Sequence, residues 1–548
     1  MGKSNRDVIT RYLRYEDVRS TARPASLLIA KLVVPSQIEK LKEDVRNPPR
    51  WSSRKVRRRS SIPGLERTLH ERRVQVTDRE DKGDMQPLGE LHDSEHLPIR
   101  RRGHLRLIKG GLEASMRRES DRSLEGIGGP DGRKLSPLLQ KAREQHLYVS
   151  GLSGVGKTTF LLHLIEDDIR CGRGCCVIDP HGDLVNAVLA ALPEDSTNLD
   201  RIILFDPSDT AYPIGLNILD ATSERTQDLA VQFMIELFEK LYLPDQQGPV
   251  LHQAFRNGLR LLMETGGVLP ELPQLFTDRG FLTRRLVKVK DSWVRHYFEK
   301  VWMKIADSSK GEYLAYFGSK ISPLVEDRML RNILGQAEGL DFARLVDEGM
   351  VLLADLSRGK VGNINSRLLG MLLLHKLERA TMESSSQTSL FRPPFRVYID
   401  EFHEFVTSSL ELFLPAARKF NVGLALAHQR LETLPIRTQE LILGSVGSVA
   451  LFRQGGGETL RTLVPLLAPR FSERDLLSLP NYQALLRTPG EDGRPRLGRV
   501  DIAARPRAQL NTRYRIWQNS RERYGQPKVK VEADLLRGFG VRETSDEE

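Results

Sequence analysis

The sequence predicts an α/β fold in which helices cover both faces of a parallel sheet. A glycine-rich loop separates a short apolar segment, 146–149, from an amphipathic segment, 159–169. Two further apolar segments follow, 175–179 and 201–205, and each has the length of a buried strand. Strand, helix and strand in alternation are typical of a parallel sheet, because the crossover helices pack on its two faces.

The glycine-rich loop has the pattern Gly-x-x-x-x-Gly-Lys-Thr. Its glycines let backbone N–H groups turn inward around a phosphate chain, and the helix that follows adds the positive end of its dipole. The pattern therefore predicts a P-loop that binds ATP or GTP. Lys157 is expected to reach the terminal phosphates and Thr158 to hold Mg²⁺ through its hydroxyl. The predicted nucleotide-binding residues are Gly151, Ser153, Gly154, Val155, Gly156, Lys157, Thr158 and Thr159.

A second α/β stretch, 337–505, completes the predicted core. The predicted strands are 349–356, 395–399, 422–427 and 448–452, and the predicted helices are 367–382 and 410–419. Residues 141–222, which contain the P-loop, are predicted to share one domain with this stretch, because both show the same alternation of strand and helix.

Two adjacent acids follow the predicted strand 395–399. Asp400 and Glu401 lie at its carboxyl end, the end that faces the ligand crevice of a parallel sheet. A P-loop ATPase needs one carboxylate for Mg²⁺ and one base that orients the attacking water. We assign Asp400 to Mg²⁺ and Glu401 to the water.

A glutamine follows the next predicted strand. In a core ordered as P-loop, Asp-Glu strand and Gln strand, Gln429 is expected to contact the γ-phosphate or the attacking water.

Two arginines are candidates for a finger that a neighbouring subunit inserts. Arg418 ends the helix after the acidic pair, and Arg453 follows the predicted strand 448–452. A guanidinium can neutralise charge in the transition state, but a cation at a helix end is also favoured by the dipole. Spacing alone leaves both interpretations of Arg418 open.

Two clusters have residue types that also bind metals. Asp179, His181 and Asp183 lie at the end of the strand 175–179, where a turn held by hydrogen bonds is the favoured interpretation. The three cysteines, Cys171, Cys175 and Cys176, are interpreted as thiols beside a strand, because adjacent cysteines suit one tetrahedral zinc site poorly. Three cysteines in all fit a reducing cytosol.

Between and beyond the two core stretches the pattern is helical. Residues 223–336 are predicted to form an all-α insertion, with helices at 228–241, 250–265, 292–304 and 316–334. Residues 506–548 are predicted to form a charged helical tail.

The basic excess lies in the first part of the chain. Of 83 Lys+Arg and 72 Asp+Glu, residues 1–140 hold 31 and 20, so their net charge is +11 and that of the remainder is zero. This region shows no sustained helical or alternating pattern and is predicted to be partly disordered. A basic arm indicates a nucleic acid or an anionic membrane as partner, and a solvated arm without a fixed partner is the alternative.

No apolar run approaches the roughly 18 residues that span a bilayer. We therefore expect a cytoplasmic protein that reaches the inner membrane only through a partner.

The ordered motifs resemble those of the HerA/FtsK superfamily of ring ATPases, and within it the TraG-type ATPases that couple conjugative DNA transfer to type IV secretion. The resemblance covers residues 141–525. The segments that carry it are HLYVSGLSGVGKTTFL, VIDPHGDL, LRNILGQAEGLDFARLVDEGMVLLADLSRGKVGNINSRLLGMLLLHKL, FRVYIDEFHEF, ARKFNVGLALAHQ and SRERYGQP. Coupling proteins generally carry N-terminal membrane helices, and none is evident here.

The resemblance implies a RecA-like P-loop NTPase domain with an all-α insertion, a hexameric ring, ATP sites between subunits and DNA in a central channel. Lys157 and Thr158 match the Walker A pair, and Asp400 and Glu401 the Walker B pair. Gln429 matches the sensor glutamine. The position of Arg418 matches the arginine finger, which favours that interpretation.

The leading hypothesis is a Mg²⁺-dependent ATPase that moves single- or double-stranded DNA as a homo-hexameric ring, in conjugation or in DNA processing. A relaxase, a nuclease or secretion-channel proteins are the partners that such a motor would serve. One alternative is an ATPase of the same fold that acts on protein substrates in a secretion apparatus. Another is a nucleotide-gated DNA-binding scaffold that hydrolyses slowly.

Overall fold

Strands of four to eight residues build the sheet of this protein, which we describe from a computed structural model. Among the described residues ten strands form one mixed sheet in the order β1-β10-β9-β8-β2-β7-β6-β3-β5-β4. The strands are β1 (Leu124–Ile127), β2 (Leu147–Ser150), β3 (Gly174–Asp179), β4 (Ile202–Phe205), β5 (Val351–Asp355), β6 (Phe395–Ile399), β7 (Val422–His428), β8 (Ser448–Leu451), β9 (Gln483–Pro489) and β10 (Pro495–Ile502).

The described residues all belong to one unit of the chain, residues 102–548. They are 124–127, 145–193, 199–221, 223–241, 249–305, 324–383, 392–490, 494–505 and 510–540, with single positions between 310 and 322. The predicted disorder of residues 1–140 therefore lies outside the described residues, apart from β1. The predicted domain boundaries stay predictions.

The seven strands from β8 to β4 in the sheet order run parallel, which confirms the predicted α/β class. The predicted strand 395–399 matches β6 at both ends, and the other predicted strands differ from the observed bounds by one or two residues. Side chains alternate between the two faces: Cys175 and Val177 join one hydrophobic cluster, while Cys176 and Ile178 join the other. Both faces are thus buried, as continuous apolar strands require.

The sheet is mixed rather than wholly parallel, because it includes a hairpin, β9 and β10, that the sequence did not predict. β9 pairs antiparallel with both β8 and β10, and β1 pairs parallel with β10. In β10 buried and exposed residues alternate, and exposed arginines Arg496 and Arg499 interrupt the apolar pattern. A half-exposed strand of this composition resembles a loop in sequence, and β1, with the sequence Leu-Glu-Gly-Ile, has only four residues.

Helices cover both faces of the sheet. They are α1 (Lys157–Arg170), α2 (Asp183–Ala191), α3 (Glu224–Leu241), α4 (Pro249–Glu264), α5 (Gln274–Thr277), α6 (Arg279–Leu286), α7 (Ser292–His296), α8 (Arg328–Leu334), α9 (Phe342–Asp347), α10 (Arg358–Val361), α11 (Asn363–Glu383), α12 (Ser408–Ala417), α13 (Ile436–Ser445), α14 (Glu458–Leu467), α15 (Glu473–Leu477), α16 (Leu510–Tyr524) and α17 (Lys528–Phe539). Among them α1 and α2 pack with β3 on one face, and α9 and α11 lie on the other.

The helical stretch after β4 contains α3 to α8. The predicted helix 292–304 is divided into α7, a π turn at Tyr297–Val301 and a 3-10 turn at Trp302–Lys304. Part of the predicted helix 316–334 lies outside the described residues, and its end is α8. The tail forms α16, which packs against the sheet: the backbone N–H of Leu204 in β4 donates to Oγ of Ser520 at 2.9 Å. No helix in the described part of the chain combines the length and apolar character needed to cross a bilayer.

Candidate nucleotide-binding site

The predicted site residues gather where the parallel strands end. β7 lies between β2 and β6, so the loops after all three strands emerge side by side at one edge of the sheet. The P-loop follows β2, the acidic pair follows β6, and Gln429 follows β7. Parallel pairing therefore brings together residues that lie far apart in sequence.

The backbone of the loop after β2 has the shape of a phosphate cradle. Gly154 and Gly156 have φ of +75° and +112°, in the left-handed region that glycine adopts without strain. A Cβ on Gly151 would lie 2.5 Å from Cβ of Phe452, so that position has no room for any side chain. Gly156 is followed directly by α1, whose free N–H groups point toward the loop.

Lys157 is held inside this loop. Its side chain is 7% exposed, and Nζ donates hydrogen bonds to the carbonyl oxygens of Gly151 at 2.8 Å and Leu152 at 2.9 Å. Burial lowers the pKa of Lys157, while the nearby carboxylates of Glu401 and Asp400 act in the opposite direction. The ammonium group is thus placed between the loop and the acidic pair, where a terminal phosphate would lie.

Both acids after β6 are buried, each 6% exposed. The backbone N–H of Asp400 donates to the carbonyl oxygen of Ile178 at 3.1 Å, which continues the pairing with β3. Glu401 then turns sharply, with φ of +46°, and its N–H donates to Oδ1 of Asp400 at 3.0 Å. A left-handed conformation costs a non-glycine residue on the order of 1–3 kcal/mol, and such strain concentrates at functional sites.

Glu401 and Gln429 are in direct contact. Nε2 of Gln429 donates to Oε1 of Glu401 at 2.9 Å, while Oε2 of Glu401 has no hydrogen-bond partner among the described residues. Nδ1 of His403 lies 3.4 Å from that second oxygen. A buried carboxylate oxygen with free acceptor capacity is suited to orient a water molecule.

The pKa of Asp400 is raised to about 7, first by burial and then by the carboxylates of Asp179 and Glu401, while Lys157 acts in the opposite direction. This is the behaviour of a carboxyl group placed for a cation. Thr158 at the start of α1 and Asp400 are the residues that would hold Mg²⁺, and both lie at the same edge of the sheet. Their hydroxyl and carboxylate oxygens are the donors that Mg²⁺ prefers.

We predict that Asp400→Asn stabilises the nucleotide-free protein at high pH. Because the folded-state pKa of Asp400 lies above its unfolded value, wild-type stability falls as pH rises from about 4 to about 7 and is then level. The neutral amide avoids this loss. The stability advantage of Asp400→Asn should therefore grow by about 2 kcal/mol from about pH 5.5 to about pH 8 in denaturant titrations. An advantage that did not change with pH would contradict the perturbed titration.

Arg418 lies away from this cluster in its own chain. It is exposed and follows α12, which returns to the opposite edge of the sheet. There it lies near His146, which precedes β2: burial lowers the pKa of His146 to about 4, and the charges of Arg418 and Arg396 add to the effect. β2 separates this edge from the P-loop by about 13 Å. In contrast, the backbone of Arg453 is beside its own P-loop, where its carbonyl accepts from the N–H of Leu152 at 3.0 Å.

Asp179 forms a cap for α2. Its Oδ1 accepts from the N–H of His181 at 2.9 Å, and its Oδ2 accepts from the N–H groups of Leu184 and Val185 at 2.8 and 3.0 Å. His181 and Asp183 are exposed. No group of three His, Cys, Asp or Glu side chains in the described ranges is arranged to hold a metal ion. The contacts of Asp179 are those of the hydrogen-bonded turn that the sequence favours.

We predict that Asp179→Ala destabilises the protein by roughly 1–3 kcal/mol, because the N–H groups of Leu184 and Val185 in the first turn of α2, and that of His181 before it, lose their acceptor. Asp183→Ala, which removes an exposed carboxylate from the same turn, is the matched control and should change stability little. Thermal denaturation with and without added divalent cations checks both. A loss that appeared only with the cation present would instead support a metal site.

The fold is that of a RecA-like P-loop NTPase. This assignment rests on the strand order, on the P-loop after β2 and on the buried acids Asp400 and Glu401 after β6. Neither a protein-family model nor a curated protein sequence matches the chain.

Solved structures with a similar fold include plasmid coupling protein TrwB in complex with a non-hydrolysable ATP analogue, at 16% identity and a TM-score of 0.49, covering 73% of this chain and 94% of that one. VirB4 of Thermoanaerobacter pseudethanolicus matches at 14% identity and a TM-score of 0.48, over 70% and 98% of the two chains. A plasmid coupling protein is thus among the solved structures to which this chain is similar.

Two residues near the P-loop had no signal in the sequence. Tyr482 precedes β9 and Arg505 follows β10, and both reach the loop only because the missed hairpin pairs with β8. A lone tyrosine and a lone arginine next to strands of mixed composition carry no motif. Their position near the P-loop follows only from the pairing of the hairpin with β8.

Proposed function

We propose that this protein is a Mg²⁺-dependent ATPase whose hydrolysis drives DNA through a ring of identical subunits, in conjugative transfer or related DNA processing. The main support for the proposal is the hydrogen bond from Gln429 to Glu401, because it links the proposed sensor side chain to the proposed catalytic base, near the buried Lys157. A protein that only binds nucleotide does not require a strained, buried glutamate at that position.

In this proposal the residues at this edge of the sheet have distinct roles in binding and hydrolysis. Lys157 and the N–H groups of the loop bind the phosphates, and Thr158 and Asp400 hold Mg²⁺, which neutralises charge on the phosphates when bound. Glu401 orients and deprotonates the attacking water. Gln429 donates a hydrogen bond to Glu401. When the γ-phosphate is lost, Gln429 can exchange this hydrogen bond for another, and the resulting shift would be transmitted to β7 and the helices around it.

The position of Arg418 supports the proposed ring of identical subunits. An exposed guanidinium at the far edge of the sheet cannot reach the phosphates of its own loop, but it is available to a neighbouring subunit. The basic excess of residues 1–140 supports a polyanionic track. The rest of the chain is neutral, and a few channel cations in each subunit would still make a dense charge ring.

Steady-state ATP hydrolysis with and without single- and double-stranded DNA, at low and moderate salt, tests the proposal. We expect several-fold stimulation that falls as salt rises, because phosphate contacts release counterions. The strand form that stimulates more identifies the track. Hydrolysis that DNA does not change would favour a secretion ATPase acting on protein, and DNA binding with only slow hydrolysis would favour a scaffold.

A further inference from the structure

The hairpin that pairs with β8 places an aromatic ring beside the P-loop. β9 runs antiparallel to β8, so its first residues lie at the edge where β8 and β2 end. β8 is on the side of β2 opposite to β7. The start of β9 therefore lies across the P-loop from Asp400, Glu401 and Gln429.

Tyr482 is fixed at this position from two sides. Its backbone N–H donates to the carbonyl oxygen of Val155 in the P-loop at 2.8 Å, and its carbonyl accepts from the N–H of Ile502 in β10 at 2.8 Å. A Cβ placed on Gly156 would lie 3.1 Å from Cδ1 of Tyr482. The ring thus lies directly against Gly156, the last glycine of the loop.

The backbone of Tyr482 is strained, and the residue is 48% exposed. Its φ of +62° is unusual for a bulky residue, for which glycine or asparagine would be the ordinary choice. Packing does not require a half-exposed ring in such a conformation. Strain of this kind, kept at a ligand loop, indicates a role for the side chain outside the core.

Arg505 adds a cation on the same side. It is exposed, follows β10, and donates from Nε to Oγ1 of Thr159 in the first turn of α1 at 3.2 Å. The guanidinium is therefore held beside the start of the helix whose N–H groups would bind the phosphates nearest the nucleoside.

We propose that Tyr482 and Arg505 form the nucleoside side of the site, where the base stacks on the Tyr482 ring and Arg505 contacts the phosphate next to the ribose. This inference rests on the proposed nucleotide site. Lys157 and the acidic pair fix the terminal phosphate at one side of the loop, so the nucleoside must leave at the other, and the Tyr482 ring is exposed there. Stacking on an aromatic face tolerates any base.

Calorimetric titration with a non-hydrolysable ATP analogue and with inorganic tripolyphosphate, both with Mg²⁺, tests this arrangement. Tyr482→Asn removes the ring but keeps a residue that accepts positive φ. It should weaken binding of the ATP analogue about tenfold or more and leave tripolyphosphate binding unchanged. Tyr482→Phe keeps the ring and should bind both like wild type. Arg505→Gln should weaken both ligands in parallel, because it removes a phosphate contact.

Wild-type affinity of Tyr482→Asn for the ATP analogue would overturn the stacking role. Equal loss of both ligands by that variant would also overturn it, because the loop rather than the base contact would then be affected. Wild-type protein that bound neither ligand would contradict the nucleotide site itself. If the variants bound tripolyphosphate tightly and kept wild-type affinity for the ATP analogue, the nucleotide site would stand and only the proposed base contact would be refuted.

Discussion

Glu401→Gln should reduce ATP turnover by about 10²–10⁴-fold and leave ATP binding close to wild type. The amide keeps the size of the side chain and can still accept the hydrogen bond from Gln429, which uses Oε1. It cannot take a proton from water. Turnover is measured by phosphate release and affinity by titration with the ATP analogue, so that the two effects are separated.

Glu404→Gln is the matched control for this change. Glu404 lies three residues further on, on the same short segment, and its carboxylate pairs with Arg358 and Arg367 rather than with Gln429. It should retain turnover near the wild-type level. Loss of ATP binding in Glu401→Gln, or equal losses of turnover in the two variants, would contradict the role of Glu401 as base.

Arg418→Ala should lower turnover by about a thousandfold or more if its guanidinium completes the site of a neighbouring subunit. The exposed neighbour Lys419 provides the control, and Lys419→Ala should remain active. Because Arg418 lies at the sheet edge opposite its own P-loop, folding and ATP binding should persist in both variants.

Mixing two inactive variants shows whether this arginine acts in trans. A site formed by a subunit with Glu401 and a neighbour with Arg418 is complete even when each subunit carries one defect. Randomly mixed Glu401→Gln and Arg418→Ala subunits should therefore recover roughly a quarter of wild-type activity in equal proportions. Absence of any recovery in assembled mixed rings would contradict a shared site and leave Arg418 as a cation at a helix end.

The parallel core could be predicted because each of its strands is buried on both faces. Segments such as β3 and β5 consist of apolar residues or glycine up to a final aspartate, so burial appears directly in the sequence. The P-loop and the acidic pair were recognisable for a related reason: phosphate and metal binding restrict both residue type and spacing.

The hairpin could not be predicted in the same way. β10 is half exposed and carries arginines, so its pairing depends on β8 and β9 rather than on its own composition. The strained φ of Glu401 and Tyr482 and the contact between Gln429 and Glu401 likewise depend on how distant strands meet. These features are tertiary, and no local pattern encodes them.

ATP-driven displacement of streptavidin from the end of biotinylated DNA tests the central claim most directly, because it records movement along DNA and not only hydrolysis. With wild-type protein we predict displacement that requires both ATP and Mg²⁺, on the strand form that stimulates hydrolysis. Glu401→Gln should bind the same DNA without displacing streptavidin. Displacement without ATP, or DNA-stimulated hydrolysis that never displaces streptavidin, would contradict a DNA motor.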